Sequence, residues 1–435
     1  MSWLLVAGFV IFFLGLIISI ALHEIGHLVP AKIFGVRVPQ YMVGFGPTMW
    51  SRHRGETEYG LKWIPLGGYI RMIGMLPPRP TDDPNKLRQI STGPWRSLIE
   101  NAREAALEEV RPADRDRVFY RKPWWQKVII MSGGPAMNFV LAFVLFAVVM
   151  MGFGVTTAKL VVAEVPKCVK TAEQFVRDPD CGPGDRPSPA ASAGLLPGDK
   201  IVSIGGKAME SWEQATEVIR GHGAGPITVG IERAGKALIV HADLIAQDRP
   251  DLGDPSKIDK GVGYLGVGPQ IVVERQGPGY VVGQMWDMTA RTAVALAHFP
   301  ERMVGVWQAA FGGAERDLNS PVSIVGAGRI GGEIAAAPMP VDDKIVLFIS
   351  LVAGFNLAIG MFNLIPLLPL DGGHIAGALW EGVKRGYARV RRRPNPGHVD
   401  IAKALPLTYA MAAVLLVMGG LLIYADVVNP IRLSG

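Results

Sequence analysis

Two histidines and a glutamate near the N-terminus form a pattern that can hold a metal ion. They lie in His23-Glu24-Ile25-Gly26-His27, which matches the H-E-x-x-H motif. Residues four positions apart share one face of a helix, so both imidazoles can bind a single zinc ion. Glu24 lies beside the first histidine and can act as the general base toward a zinc-bound water. The motif therefore predicts zinc-dependent hydrolysis, in which that water attacks a peptide bond.

The motif follows a long apolar segment. From Trp3 to Leu22 no residue is charged. Ionisable groups at membrane depth are costly, and they mark functional sites by default. The alternative is a helix whose histidines are buried for structural reasons only. The setting favours a catalytic site inside the bilayer.

A catalytic zinc site typically has three protein ligands and one open position. The best candidate for the third ligand is Asp371, which follows Pro366 and Pro369 and precedes two glycines. The prolines should break the helix, and irregular backbone at membrane depth must line protein or a water-filled cavity. His374 could lie nearby without binding metal. Asn363 is a candidate hydrogen-bond partner for the substrate backbone or the developing oxyanion.

Composition and charge predict a membrane protein. Of the 435 residues, 49% are hydrophobic, and four windows reach the roughly 20 residues that a spanning helix needs. They are at about 3–22, 127–151, 344–367 and 405–425. The first lacks the basic start of a cleaved signal peptide.

The distribution of basic residues predicts the orientation. Lysines and arginines concentrate between the first and second spans and between the third and fourth. By the positive-inside rule these two segments are cytoplasmic, and both termini and the long connection at 152–343 lie outside. The net charge of +6 is then explained by topology and contact with membrane lipid, and we expect no nucleic-acid partner.

The expected segments follow from these patterns. They are a first transmembrane helix with the motif (1–35), a membrane-associated β region (36–76), a cytoplasmic loop (77–126), a second transmembrane helix (127–153), an extracytoplasmic region (154–278), interfacial amphipathic segments (279–342), a broken third transmembrane segment with the distal ligand (343–374), a basic cytoplasmic loop (375–403) and a fourth transmembrane helix (404–427).

The extracytoplasmic region contains two features of its own. Cys168 and Cys181 can form a disulfide in an oxidising compartment, the alternative being two free thiols. Residues 187–246 resemble a PDZ domain of the bacterial protease type, a β-rich α+β fold. Such a domain offers a strand edge that takes an extended peptide, unless the groove is blocked and the domain serves as a plug.

The chain resembles the bacterial site-2 proteases, the intramembrane zinc metalloproteases that include regulators with an extracytoplasmic PDZ domain. The resemblance is nearly end to end. Besides the zinc motif it rests on Gly133-Gly134-Pro135-Ala136-Met137-Asn138, Pro321-Val322-Ser323-Ile324, Asn363-Leu364-Ile365-Pro366 and Leu370-Asp371-Gly372. Gly44-Phe45-Gly46 resembles the loop beside the membrane-embedded β-hairpin that presents substrate as an added strand.

The resemblance implies a multi-pass α-helical protein of the bacterial cytoplasmic membrane, with about four transmembrane helices, a β-hairpin or sheet at the membrane and one external PDZ domain. It also implies regulated intramembrane proteolysis. After a first cut by another protease, the enzyme would cut the transmembrane segment of a single-pass protein such as an anti-sigma factor. The active site would lie in the membrane toward the cytoplasm.

Two other functions remain open from the residues alone. One is a membrane-anchored zinc protease that cuts cytoplasmic loops, which predicts a third ligand in a soluble domain. The other is a PDZ-bearing scaffold or holdase without proteolysis, which gives no role to a carboxylate between the two histidines.

Overall fold

The computed structural model describes residues 3–78, 94–108, 110–170, 180–182, 184–252, 258–314, 316–317 and 320–431. Part of the expected cytoplasmic loop, residues 79–93, therefore lies outside the described residues. The chain forms two compact units. One combines Met1–Phe153 with Gly277–Gly435, and the other is Gly154–Gln276.

Eleven helices are found in the described residues. They are α1 (Trp3–Ile33), α2 (Pro94–Glu108), α3 (Trp124–Ala147), α4 (Pro189–Ser192), α5 (Trp212–His222), α6 (Pro278–Ala297), α7 (Phe299–Phe311), α8 (Ile324–Ala336), α9 (Val341–Asn363), α10 (Asp371–Val390) and α11 (Leu405–Val428). The basic loop expected at 375–403 thus begins inside a helix, α10.

Four helices among the described residues are long and apolar enough to cross a membrane. They are α1, α3 with its π-helical extension to Phe153, α9, and α11 with the 3-10 turn that begins at Ile401. The chain is therefore a multi-pass membrane protein. α1 continues through Pro30, which lies in its last turn, so the H-E-x-x-H motif is part of one unbroken helix.

Glycines allow the membrane helices to touch. A Cβ atom at Gly26 of α1 would lie 2.2 Å from the carbonyl oxygen of Gly133, and one at Gly133 would lie 2.0 Å from that of Gly26. The backbones of α1 and α3 are therefore in direct contact, which only glycine permits. α8 approaches α1 in the same way, because a Cβ atom at Gly8 would lie 2.4 Å from the carbonyl oxygen of Gly331.

A small sheet in the membrane unit is built from two long strands, β1 (Gln40–Arg54) and β2 (Thr57–Arg71). Tyr41 lies opposite both Tyr59 and Ile70. The start of β1 therefore lies between the two halves of β2, and the last residues of β2, 68–71, form an edge among the described residues.

The second unit is a seven-stranded sheet with the short helix α4 and the longer α5 against it. Its strands are β3 (Val155–Glu164), β4 (Lys200–Ile204), β5 (Lys207–Ala208), β6 (Gly225–Arg233), β7 (Lys236–Pro250), β8 (Ile258–Tyr264) and β9 (Gly268–Glu274), in the order β8-β7-β6-β4-β3-β9 with β5 beside β4. Ile201, Val229 and Ile231 are central to its core.

The sheet extends beyond the segment expected from the sequence. Val155 of β3 pairs with Glu274 of β9, so both ends of the unit belong to the sheet, whereas local patterns indicated only 187–246. Pairing between strands more than one hundred positions apart leaves no local signal. A disulfide joins Cys168 to Cys181 in this unit.

Candidate metal centre

Three donor atoms from α1 and α10 form a triangle of nearly equal sides. Nε2 of His23 lies 3.3 Å from Nε2 of His27, and Oδ2 of Asp371 lies 3.3 Å from each. Tetrahedral zinc with ligand distances of about 2.0–2.1 Å requires donor atoms about 3.3–3.4 Å apart. The donor set and its spacing therefore fit zinc with a fourth position open. In the described residues this is the one such cluster of three.

Asp371 reaches the histidines because the chain breaks between α9 and α10. Helix α9 ends at Asn363, and α10 begins at Asp371 itself. The connecting turn packs tightly, since a Cβ atom at Gly372 would lie 2.1 Å from the carbonyl oxygen of Ile365. The prolines and glycines of this segment thus start a new helix at the point where its first residue faces α1.

Helix α3 supports the histidines from behind. Nδ1 of His27 donates a hydrogen bond to the carbonyl oxygen of Ile130, at 2.8 Å. A proton fixed on Nδ1 leaves the Nε2 lone pair for a metal, the usual role of such an outer partner. Gly134 follows one turn later, and a Cβ atom there would lie 2.2 Å from Nε2 of His27.

A cavity of about 350 Å³ opens beside the triangle. Its lining includes Glu24, His23 and Asp371, together with Asn138 and Asn363. Asn138 is 1% exposed, and its Nδ2 has no hydrogen-bond partner among the described residues. A buried amide donor without a partner is costly, and a substrate carbonyl in the cavity would satisfy it. Asn363 also lies on the wall of this cavity, and its predicted contact with substrate stays a prediction.

The strand residues at the cavity differ from those expected. The lining includes Gly67 and Gly68 of β2 and none of Gly44, Phe45 and Gly46. A Cβ atom at Gly68 would lie 2.9 Å from Cγ of Glu24, so the backbone of this edge passes directly over the glutamate. Phe45 does not line the cavity itself, but its ring packs against Gly67, which does.

His374 lies near the donor triangle without lining the cavity. It is one turn beyond Asp371, is close enough to Asp371 and His27 to interact with them electrostatically, and lines a smaller cavity. Cys168 and Cys181 belong to the other unit.

A buried ion pair joins the two helices that flank the site. Nζ of Lys127 on α3 lies 2.7 Å from Oε2 of Glu381 on α10, and both side chains are almost fully buried. Burial alone would raise the pKa of Glu381, but its close contact with His398 and the hydrogen bond from Lys127 lower that pKa to about 2. The carboxylate is therefore charged, and it fixes α10 against the helix that supports His27.

Comparisons with known proteins agree with this geometry. Residues 11–394 match the model of Peptidase family M50. The zinc metalloprotease Rip1 of Mycobacterium tuberculosis is 35% identical, with 98% of this chain and 99% of that protein covered. Rip1 of Mycolicibacterium smegmatis is 34% identical over 98% of each chain. The metalloprotease MmpA of Caulobacter vibrioides is 28% identical, with 87% of this chain and 88% of that protein covered.

The family match covers most of the chain, and the Rip1 proteins are similar from end to end. These relatives are named as zinc metalloproteases, and the donor triangle fits that metal. The protein is therefore a zinc metalloprotease, and it belongs to Peptidase family M50.

Proposed function

We propose that this metalloprotease cuts single-pass membrane proteins within the bilayer, with His23, His27 and Asp371 as zinc ligands. The observation that carries the proposal is the donor triangle with 3.3 Å sides on a cavity whose walls include α1, a membrane-length helix, and Asn363, the last residue of another. An enzyme for soluble substrates would gain nothing from a site between such helices.

The chain's own residues divide the chemistry between them. A zinc ion held by the triangle supplies Lewis acidity and lowers the pKa of water. Glu24 accepts the proton of the attacking water and passes it to the leaving amine. Nδ2 of Asn138 donates to the scissile carbonyl oxygen as charge develops on it, and Asn363 positions the neighbouring backbone.

Residues 68–71 of β2 take the substrate as an added strand. A transmembrane helix satisfies its amides internally, so its backbone must unwind before hydrolysis and find new partners. The edge formed by 68–71 supplies such partners, and its closeness to Glu24 supports this role. Of the predicted loop, Phe45 supports this edge, because its ring packs against Gly67. Gly44 and Gly46 lie against Lys62 and Ile64 and shape the hairpin that carries the edge.

The orientation follows from charge and the disulfide. The basic segments lie in the cytoplasm of a bacterium, the active site is nearer that side of the cytoplasmic membrane, and the unit at Gly154–Gln276 is extracytoplasmic. The Cys168–Cys181 bond is compatible with an oxidising compartment.

The external unit is a PDZ domain that receives a peptide end. A cavity of about 220 Å³ lies between α5 and the residues before β9, with Trp212, Thr216 and Tyr264 in its lining. Strand β9 pairs only with β3 among the described residues, which leaves an edge for an extended peptide. The ligand is the terminus left when another protease removes the external part of a substrate such as an anti-sigma factor.

Substitution of the general base tests the proposal. Candidate single-pass proteins lacking their external domains are co-expressed with the wild type and with Glu24→Gln. The variant should retain zinc and accumulate the uncut precursor, because the metal ligands are intact while proton transfer is lost.

The metal site has its own control. Asp371→Asn should lower the zinc content of the purified protein. Full zinc in that variant would remove Asp371 from the ligand set. Unchanged cleavage by Glu24→Gln would overturn the proposed mechanism, and absence of cleavage in wild type and variant alike, for every truncated single-pass protein tried, would favour a scaffold or a protease for soluble loops.

A further inference from the structure

Helix α10 buries charge and exposes apolar side chains, the reverse of a helix in water. Glu381 is 2% exposed and binds Lys127 and Arg385, each at 2.7 Å. On the opposite side Val383 is 59% exposed and Val390 is 81% exposed. A surface helix in water normally turns its charged face outward. The outer face of α10 is therefore suited to an apolar neighbour.

The exposed apolar residues form one continuous stripe. Besides Leu379, they are Trp380, Val383, Tyr387 and Val390, all exposed, and the last four follow one line along the helix. Their spacing of three, four and three residues keeps them on one side of a helix with 3.6 residues per turn. We call these four residues the outer stripe.

Basic residues border the outer stripe. Nζ of Lys384 lies 5.9 Å from the centre of the Trp380 ring, and the guanidinium of Arg391 lies 5.7 Å from that of Tyr387. Arg392 and Arg393 follow and are exposed. Aromatic rings with basic groups beside them are typical of the border between acyl chains and headgroups. The positive charge calls for an anionic partner at this border.

The connections of α10 keep it at the membrane. It follows the membrane-length helix α9 and precedes the span that begins at Ile401. With α9 ending at Asn363 and α10 beginning at Asp371, the short link holds the start of α10 close to the bilayer. A lipid surface is therefore within reach of the stripe in every copy of the protein, whereas a second protein chain would have to be recruited.

We propose that the outer stripe, together with Lys384 and Arg391–Arg393, forms a binding surface for acidic phospholipids. The rings and the valines lie among the upper acyl chains, and the basic groups bind the phosphate headgroups. Because α10 begins at Asp371, bound lipid also holds the carboxylate against His23 and His27. That last link rests on the proposed ligand role of Asp371, whereas the lipid surface itself does not.

The preference of the full-length protein for acidic over neutral lipid tests the role of the basic residues beside the outer stripe. Wild type, Lys384→Gln/Arg391→Gln and the control Arg111→Gln/Arg115→Gln are placed in bilayers of phosphatidylcholine with phosphatidylglycerol. Spin-labelled phosphatidylglycerol then reports binding to the protein. Each basic group near an acidic surface contributes about fivefold, so the first variant should bind this lipid roughly 25-fold less tightly. The control removes two exposed charges outside α10 and should match the wild type. Equal selectivity in all three proteins would overturn the proposal.

A spin label attached at Tyr387→Cys tests whether the outer stripe lies among the acyl chains. The two natural cysteines are joined to each other, so the new thiol is labelled alone. The label should collide with oxygen more often than with a water-soluble nickel complex, while one at the control position Arg115→Cys should show the opposite preference. Preference for nickel at position 387 would overturn the proposal. The proposal would also be overturned if the label at position 387 were shielded from nickel only at high protein density. Shielding that is lost when the protein is diluted with lipid would identify a second copy of the chain as the partner. The zinc content of each variant is measured in parallel. A lowered zinc content shows that loss of lipid binding also affects the metal site, and an unchanged content shows that the effect is confined to the lipid surface.

Discussion

Gly134 lies so close to His27 that a Cβ atom on the glycine would be 2.2 Å from Nε2 of the imidazole. The same atom would lie 2.7 Å from Nε2 of His23. The backbone of α3 thus forms the surface on which both histidines rest, and no larger residue fits there.

Gly134→Ala should therefore displace both imidazoles and weaken zinc binding. Disturbed outer contacts at zinc sites cost roughly 10- to 100-fold in affinity, and direct collision with both imidazoles should cost at least as much. Zinc per protein after dialysis against a chelator measures the effect. Gly354→Ala is the matched control, since a Cβ atom at this glycine of α9 meets no atom within 4 Å. Equal zinc retention in both variants would contradict the close fit.

Asn138→Ala should lower kcat with little change in zinc content. Loss of one donor to a developing oxyanion costs roughly 10²- to 10³-fold in kcat. Asn356→Ala serves as the control, because Asn356 is equally buried but donates to Ser19 on α1 rather than lining the cavity. It should reduce stability and leave most of kcat. If both variants lose kcat equally, Asn138 has a structural role instead.

Glu381→Gln should destabilise the membrane unit. Removing one partner of a buried ion pair costs about 3–5 kcal/mol, because the remaining charge stays buried. Lys127→Met/Glu381→Leu should recover much of the loss, since it leaves no lysine charge behind. Thermal unfolding in detergent measures all three proteins.

Asp116→Asn provides the comparison for this pair. Asp116 is 93% exposed and its partner Arg121, at 2.8 Å, is 48% exposed, and exposed pairs contribute at most about 1 kcal/mol. A loss as large as that of Glu381→Gln would mean that burial does not set the size of the effect.

Asp199 should make the unit at Gly154–Gln276 sensitive to acid. Hydrogen bonds from Arg233, at 2.7 Å, are the main reason that the pKa of Asp199 is lowered. A carboxyl whose pKa is lower in the folded state stabilises the fold above its unfolded pKa of about 3.9, and this contribution is lost as pH falls through the folded value.

Asp199→Asn should remove that acid dependence. Hydrogen exchange of the β4 and β6 amides measures the local stability. Because wild type and variant are compared at the same pH, the intrinsic effect of pH on the exchange rate cancels. The two proteins should differ most near neutral pH and converge in acid. A constant difference across the range would exclude the carboxylate as its source.

Local signals in the sequence indicate the three residues that the structure brings together; their role as zinc ligands stays a prediction. His23 and His27 are found from helical spacing, and Asp371 from the prolines and glycines around it. The four spans are found from length and hydropathy. In each case the physical cause acts within about twenty residues, so the pattern is visible without coordinates.

Features that depend on long-range contacts escaped the sequence. Asn138 ends a segment that the family resemblance already includes, but only tertiary packing places it on the cavity that Glu24 also lines. Glu381 lies in a basic segment and would be read as a solvated charge, yet Lys127, 254 positions away, pairs with it. Gly68 replaces Gly44 at the cavity because β2 returns along β1, a path that depends on the pairing register.

The contact between Gly26 and Gly133 limits how the enzyme can open. With backbone against backbone, α1 and α3 cannot slide past each other without collision, so His23, His27 and the Ile130 carbonyl move as one rigid block. Room for an incoming chain must be made by the opposite walls, where Gly68 and Ile324 line the cavity. We therefore expect the cavity to widen without a change in the positions of the two histidines.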